Sequence, residues 1–301
     1  MLKDWIEAAR PKTLAAAVVP IAVGAAEAYR FGIFNWWPVF VCLAFALLVQ
    51  IGTNMANDYY DFVKGADGED RLGPERLVSS GRIQPKAMFW VSIAVFAIAF
   101  LVGLNLVWYR GWELLAVGLI SIVFGYGYTG GPFPLAYHGL GDVFVILFFG
   151  LIATMGTFYV LVGVIEWPVA LLGGALGLLA NNILVVNNYR DRETDAAAGK
   201  RTVIVRRGAA FGIRQYRIQF DAAFVLIGVF AAMKQAWWVC LAFAILPLGF
   251  KLMGDLKKTE GKALNGVLAK TAALLLVTGL LLSFGLWLEG WLEVQRAGLG
   301  G

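Results

Sequence analysis

Residues 38–61 read PVFVCLAFALLVQIGTNMANDYYD: an apolar run that turns abruptly into Asn57-Asp58-Tyr59-Tyr60-Asp61, with a continuation to Asp67. Residues 169–191 repeat the arrangement, an apolar run ending in Asn187-Asn188-Tyr189-Arg190-Asp191 and continuing to Asp195. An apolar stretch of roughly 20 residues spans a bilayer as a helix, so each run predicts a membrane helix with a polar end. Within each motif the spacing is helical. Asn57 and Asp61 are i, i+4, with Asp58 one position round, and Asn187, Asp191 and Asp195 follow one another at the same interval. Two such faces opposed would gather acidic and amide oxygens at one membrane surface. Hard oxygen ligands suit Mg²⁺, which binds through one or two carboxylates plus substrate phosphate. The candidate metal ligands are therefore Asn57, Asp58, Asp61, Asp67, Asn187, Asp191 and Asp195, and the site reads as one for a diphosphate ester. A helix end resting among lipid headgroups would also be polar, but it would tolerate any polar mix. From Asn57 onward the stretch holds Asp, Asn and Tyr but no Lys until position 64, and unpaired carboxylates beside an anionic membrane require a cation.

The composition agrees with a membrane chain. Of 301 residues, 60% are hydrophobic and 15% charged, and the mean hydropathy is +0.73. A net charge of +5 raises the question of nucleic acid. The basic residues, however, sit in short loops between apolar runs, where the positive-inside bias explains them; no nucleic-acid partner is expected. Cys42 and Cys240 lie in apolar segments without metal-ligand spacing and read as small core residues. The start of the chain, polar and amphipathic to Pro11, shows no cleavable signal pattern.

Taken in order, the chain predicts nine transmembrane helices and no soluble domain. They cover about 14–30, 38–60, 85–108, 114–128, 142–165, 169–189, 220–233, 237–253 and 268–287. Pro11 suits a first helical turn, whereas Pro20 would kink its helix unless neighbours satisfy the freed carbonyl. The segment 220–233 is short for a span. Residues 190–217 form a highly charged loop, and Thr129-Gly130-Gly131-Pro132 reads as a turn. Nine tryptophans (Trp36, Trp37, Trp108, Trp112, Trp167, Trp237, Trp238, Trp287, Trp291) fall at predicted helix ends, as interfacial belts do. With the N-terminus inside, all but four of the 25 Lys and Arg lie on the inner side, the exceptions being Arg30, Arg110, Lys234 and Arg296. Both carboxylate motifs then face the cytoplasm. Their positions on the second and sixth helices suggest a faint internal duplication.

Diphosphate is held by metal together with Arg and Lys contacts. Arg71, Arg76 and Arg82 follow the first motif, Lys200 and Arg201 follow the second, and Lys12 and Asn188 complete the candidates for holding it. Arg206, Arg207, Arg214 and Arg217 read as a positive-inside tether, and Glu193 as a solvated side chain. His138 is the only histidine; it either helps deprotonate a substrate hydroxyl or is an interfacial loop residue. Gly139-Leu140-Gly141 is no nucleotide loop, having no strand before it.

Asn57-Asp58-x-x-Asp61 and Asp191-x-x-x-Asp195, on the second and sixth of nine helices, resemble the UbiA superfamily of intramembrane aromatic prenyltransferases. Within it, the chain resembles the 1,4-dihydroxy-2-naphthoate polyprenyltransferase branch. Ala9-Arg10-Pro11-Lys12-Thr13-Leu14, Asn57 to Asp67, Tyr128-Thr129-Gly130-Gly131-Pro132, Gly139-Leu140-Gly141-Asp142 and Gly199-Lys200-Arg201-Thr202 carry the likeness, which runs from Arg10 to the end of the ninth helix. The general pattern has a further Asp four residues after Asp61. This chain has Gly65 there and Asp67 two positions on, a spacing that resembles the naphthoate branch.

The resemblance implies an all-α polytopic bundle around a central cavity, one prenyltransferase domain over residues 1–301, in a bacterial-type inner membrane. It implies Mg²⁺-dependent transfer of a prenyl chain from a polyprenyl diphosphate to 1,4-dihydroxy-2-naphthoate. Diphosphate and CO₂ would leave, giving demethylmenaquinol for menaquinone biosynthesis. The catalytic set would be Asn57, Asp58, Asp61, Asp191 and Asp195, with Tyr128, and Tyr126 beside it, shielding an allyl cation by their π-faces; both tyrosines would equally suit an interfacial belt. Other acceptors (4-hydroxybenzoate, homogentisate) and a phytyl donor are rival readings within the superfamily. A carboxylate-coupled cation transporter is the rival from another class; it would need acidic residues near mid-membrane on broken helices.

Overall fold

The structure is a computed structural model that describes residues 2–66, 71–296 and 298. Among these every regular element is a helix. An amphipathic helix α1 (Leu2–Ala8) and a single 3₁₀ turn (Pro11–Thr13) lead into α2 (Ala15–Arg30). Then come α3 (Trp36–Val63), α4 (Pro85–Arg110), α5 (Glu113–Gly127), α6 (Gly141–Val162) and α7 (Val169–Arg190). Two short helices, α8 (Arg192–Ala197) and α9 (Val203–Arg207), precede α10 (Ala209–Lys234), α11 (Trp237–Lys258) and α12 (Gly261–Arg296).

Seven of these helices are long and apolar enough to cross a membrane, and the bent pair Leu2–Thr13 with Ala15–Arg30 makes an eighth. The ninth expected span, α5, has only 15 residues, so nine is an approximate count. The 54° bend of the pair falls at residue 14 rather than at Pro20, through which α2 continues unbroken. Residues 220–233, expected as a short span, belong to a 26-residue helix that starts at Ala209. Arg214 and Arg217 thus lie on its first turns and not in a loop. Charge density there masked a helix whose inner face, from Tyr216 through Phe220 to Phe230, is fully buried.

The core runs along α7, the most enclosed of the spans, which packs against α2, α6, α10 and α12. Close approach to α6 depends on glycine. A Cβ on Gly177 would stand 2.6 Å from the Ile146 carbonyl, and Gly150 and Gly173 meet across the same seam, the small-residue packing that brings membrane helices together. Beside this seam α6 widens to a π-helical stretch over Leu147–Ile152. The opposite side of the bundle, above all α4, presents apolar residues outward. All nine predicted interfacial tryptophans are exposed, and the helix order sets them at the end of the bundle away from the carboxylates. At that end Arg30 pairs with Glu27 and Glu293, Lys234 pairs with Glu166, and Arg110 donates to the Tyr159 and Leu161 carbonyls. Three of the four basic residues on this side therefore serve as internal ties.

Candidate active site

The ends of α3 and α7 face each other across a cavity that also receives the 71–77 loop, the α5–α6 connection, α8 and the start of α12. Asn57, Asp61, Asn187, Asn188, Asp191 and Asp195 all line it; Asp195, expected to follow Asp191 along one helix, is brought there instead by the separate helix α8, because α7 ends at Arg190. Asp61 is buried and sits at the centre. Arg76 Nη2 stands 3.1 Å from its Oδ2, Lys200 Nζ stands 3.1 Å from its Oδ1, and the Tyr137 hydroxyl donates to Oδ1 at 3.0 Å. Lys200 also reaches Asp195 at 3.6 Å, so one ammonium bridges the two motifs. Burial pushes the Asp195 carboxyl up to about 6, with Lys200 opposing. Lys64, donating to the Thr129 carbonyl at 2.6 Å, lies over the Tyr137 ring at 4.4 Å. Burial pulls its pKa down while Asp61 opposes.

Asp191 is gripped by its own neighbour. Arg190 Nε and Nη2 donate to the two carboxylate oxygens at 2.7 and 2.5 Å, a bidentate fork. The same guanidinium reaches Asn187 Oδ1 at 2.8 Å and Asn265 Oδ1 at 2.6 Å, and Asn265 in turn donates to the Leu72 carbonyl at 3.0 Å. Gly73 makes room for it, because a Cβ there would lie 2.7 Å from Arg190 Nη2. Arg190 and Tyr137 escaped the sequence reading. Arg190 was visible inside the second motif, whereas Tyr137 carried no local signal, since only the fold returns the α5–α6 connection to Asp61.

The remaining candidates divide. Asp58, three residues before Asp61 on α3, stands in the cavity wall with Oδ2 accepting from Leu77 N and Oδ1 from Val78 N, each at 3.2 Å. It thereby pins the loop that delivers Arg76. Asn57 Oδ1 accepts from Thr129 Oγ1 at 2.6 Å, which joins the first motif to the Thr-Gly-Gly-Pro turn. Lys12, Arg71 and Arg76 line the cavity, Arg71 with its Nε on the Pro74 carbonyl at 2.9 Å. Two expected diphosphate cations are not brought there. Arg82 is held outside by Asp4, Glu7 and Glu75, three carboxylates that outcompete the cavity for it. Arg201 follows the Gly199 turn (φ +75°) with its backbone N–H on the Tyr137 carbonyl, while its side chain is exposed and Lys200 points inward. Asp67 lies outside the described residues. His138 stacks on Phe133 at 3.8 Å, with Nδ1 2.8 Å from the Pro134 carbonyl, so it closes the turn.

Could this donor set hold a divalent metal? Among the described residues no three acidic or imidazole groups converge on one point. The set fits the other arrangement open to Mg²⁺, one or two carboxylates per ion completed by substrate phosphate, with carboxamides alongside. Tyr128, Gln50, Val145 and Phe149 line the polar chamber and also a second, apolar cavity that runs between α3, α4, α5 and α6 toward Cys42 and Leu114. A charged head and a long apolar tail would both be accommodated. The Tyr60 and Tyr126 hydroxyls touch across the α3–α5 seam, so Tyr126 is committed to that pair, while Tyr128 faces the junction.

The chain is similar to known proteins along most of its length. The chain is 35% identical over 280 residues to a 1,4-dihydroxy-2-naphthoate octaprenyltransferase of Mycobacterium tuberculosis, which covers 92% of this chain and 94% of the relative. It is 36% identical over 295 residues to the enzyme of the same name from Haemophilus influenzae, covering 95% and 96%. The fold resembles a UbiA homologue from Archaeoglobus fulgidus solved with DMAPP and Mg²⁺, at a TM-score of 0.66 and 15% identity, over 93% of this chain and 99% of that one. With its carboxylate motifs opposed across one chamber and the UbiA prenyltransferase family matching residues 17–265, this integral membrane protein belongs to that family.

Proposed function

We propose that the protein transfers a prenyl chain from a polyprenyl diphosphate to 1,4-dihydroxy-2-naphthoate, acting as one prenyltransferase domain over residues 1–301. The observation that carries this reading is the continuity of a chamber of carboxylates, amides and cations with an apolar channel, the shape of an amphiphilic diphosphate ester. The names of the similar enzymes support the acceptor. Asp61, Asp191 and Asp195, with Asn57 and Asn187, would hold Mg²⁺, which neutralises the charge that develops on departing diphosphate. Lys200, Arg76, Arg71 and Lys12 grip the phosphate oxygens, and Lys200 and Arg76 exchange partners from Asp61 to diphosphate as the donor enters. The allylic C–O bond breaks with its electron pair on the diphosphate oxygen. Tyr128 offers its π-face to the resulting cation, and Val145 and Phe149 exclude water. The electron-rich ring attacks through the carbon bearing its carboxylate, and loss of CO₂ restores aromaticity. The basic asymmetry of the loops supports a chamber open to the cytoplasm.

The test is an assay of purified protein in detergent with Mg²⁺, carboxyl-labelled dihydroxynaphthoate and a ladder of prenyl diphosphates that includes phytyl diphosphate. Labelled CO₂ should appear in step with prenylated product, and EDTA should stop both. Prenylation of 4-hydroxybenzoate but not of the naphthoate would overturn the acceptor assignment.

A further inference from the structure

One ionisable group in the chamber wall has no part in holding diphosphate. Asp142, the second residue of α6, lines the chamber beside Tyr128, whose hydroxyl packs against Gly141, where a Cβ would stand 2.9 Å from it. Its Oδ1 accepts from Asn181 Nδ2 of α7 at 2.9 Å and also from Gln215 Nε2 of α10. Each amide donates an N–H to this one atom while its own oxygen, buried, has no hydrogen-bond partner among the described residues. Asp142 Oδ2 receives no hydrogen bond among the described residues. Three helices thus fix one oxygen of a carboxylate and leave the other toward the chamber.

The depth is informative. Asn181 precedes Asn187 by six residues on α7, so this layer lies about 9 Å further into the bundle than the carboxylate motifs. Tyr128 packs beside this layer, and Val145, one turn along α6 from Asp142, is among the residues shared by the polar chamber and the apolar channel, so the reactive carbon of a diphosphate held above would come close to it. A polar clasp between α6, α7 and α10 is the simpler explanation, but a neutral amide would serve as a clasp without the cost of desolvating a charge. A half-satisfied carboxylate at this depth calls for a hydroxyl donor.

We propose that Asp142 binds the aromatic acceptor, its Oδ2 accepting a hydrogen bond from a ring hydroxyl and so turning the nucleophilic carbon toward the allylic centre. This rests on the aromatic prenyl transfer proposed above and adds the residue that selects a hydroxylated ring. The experiment compares wild type with Asp142→Asn on 1,4-dihydroxy-2-naphthoate and on each of its two monomethyl ethers. In Asp142→Asn the acceptor KM should rise about tenfold to a hundredfold, the worth of a hydrogen bond to a charged group, with the donor KM within about twofold. The preference of wild type for the parent over the ether that blocks the bound hydroxyl should collapse in the variant. A mere clasp would lower thermal stability and affect donor and acceptor alike while keeping that preference, and this result would overturn the proposal. Should Asp142→Asn fail to stay monodisperse, Asp142→Glu keeps the charge and carries it one methylene further; an unchanged acceptor KM and ether preference there would also overturn it. Wild-type protein that prenylates no hydroxylated naphthoate would refute the functional reading, whereas normal wild-type turnover with unaltered preference in Asp142→Asn refutes only the role of Asp142.

Discussion

At the scale of single residues, Asp61 and Lys200 are the pair on which the chamber turns. Asp61 is held by Arg76, Lys200 and Tyr137 at once, so its charge is balanced before any substrate arrives. Diphosphate and metal together would replace that arrangement, the cations moving to phosphate and the carboxylate to metal. Asp61→Asn should therefore lower kcat by about a hundredfold or more, as loss of a pre-aligned electrostatic partner does, while the protein still elutes as a folded species. Lys200→Met should chiefly raise the KM for prenyl diphosphate. Arg201→Ala and Arg82→Ala, whose side chains lie outside the chamber, should leave both constants within about twofold. Steady-state kinetics on the four variants check the set, and a strong donor effect in Arg201→Ala would contradict the geometry.

At the scale of elements, Asp58 and Arg190 show how helix ends organise the loops that carry cations. Asp58 accepts the Leu77 and Val78 amides and so folds the 71–84 segment back onto α3; hydrogen bonds to a charged group contribute about 1.5–3 kcal/mol. In Asp58→Asn the amide nitrogen would confront one of these N–H groups. The backbone amides of Leu77 and Val78 should then exchange faster with deuterium, and activity should fall through misplacement of Arg76. Unchanged protection there would argue that the loop is held by other contacts. The α6–α7 seam makes a second expectation. Gly177→Val forces a branched side chain against the Ile146 carbonyl and should cost roughly 1–3 kcal/mol or more, read as a lowered Tm in detergent. Wild-type stability in that variant would mean the seam can open.

At the scale of the whole molecule, the charged chamber and the tryptophan-rich end are opposite poles of one bundle. The loops around the chamber carry most of the Lys and Arg, and the far end uses Arg30, Arg110 and Lys234 in internal ties. In a background lacking Cys42 and Cys240, a cysteine at the exposed Ala196 should react only from the cytoplasmic side. One at the exposed Glu113 should react from outside in intact cells. The reverse pattern would invert the topology and place diphosphate release on the wrong side of the membrane.

What the sequence determined by itself is whatever local periodicity controls. An apolar run of sufficient length can satisfy its backbone in lipid only as a helix, so the spans and their polar ends were legible. Asn57 with Asp61, and Asn187 with Asp191, share a face because 3.6 residues make a turn. The same rule failed where charge hid a helix, as at Arg214 and Arg217 on α10, because exposure of one face says nothing about burial of the other. Only the tertiary structure decided which neighbours each polar group meets. It drew Arg82 to Asp4 and Glu7, turned Asp58 onto a backbone loop, and brought Tyr137 to Asp61 and Gln215 to Asp142 across 76 and 73 residues of chain. Buried donors and acceptors must find partners, and in a bundle those partners come from whichever helix packing sets alongside, a relation that spacing along one helix does not encode.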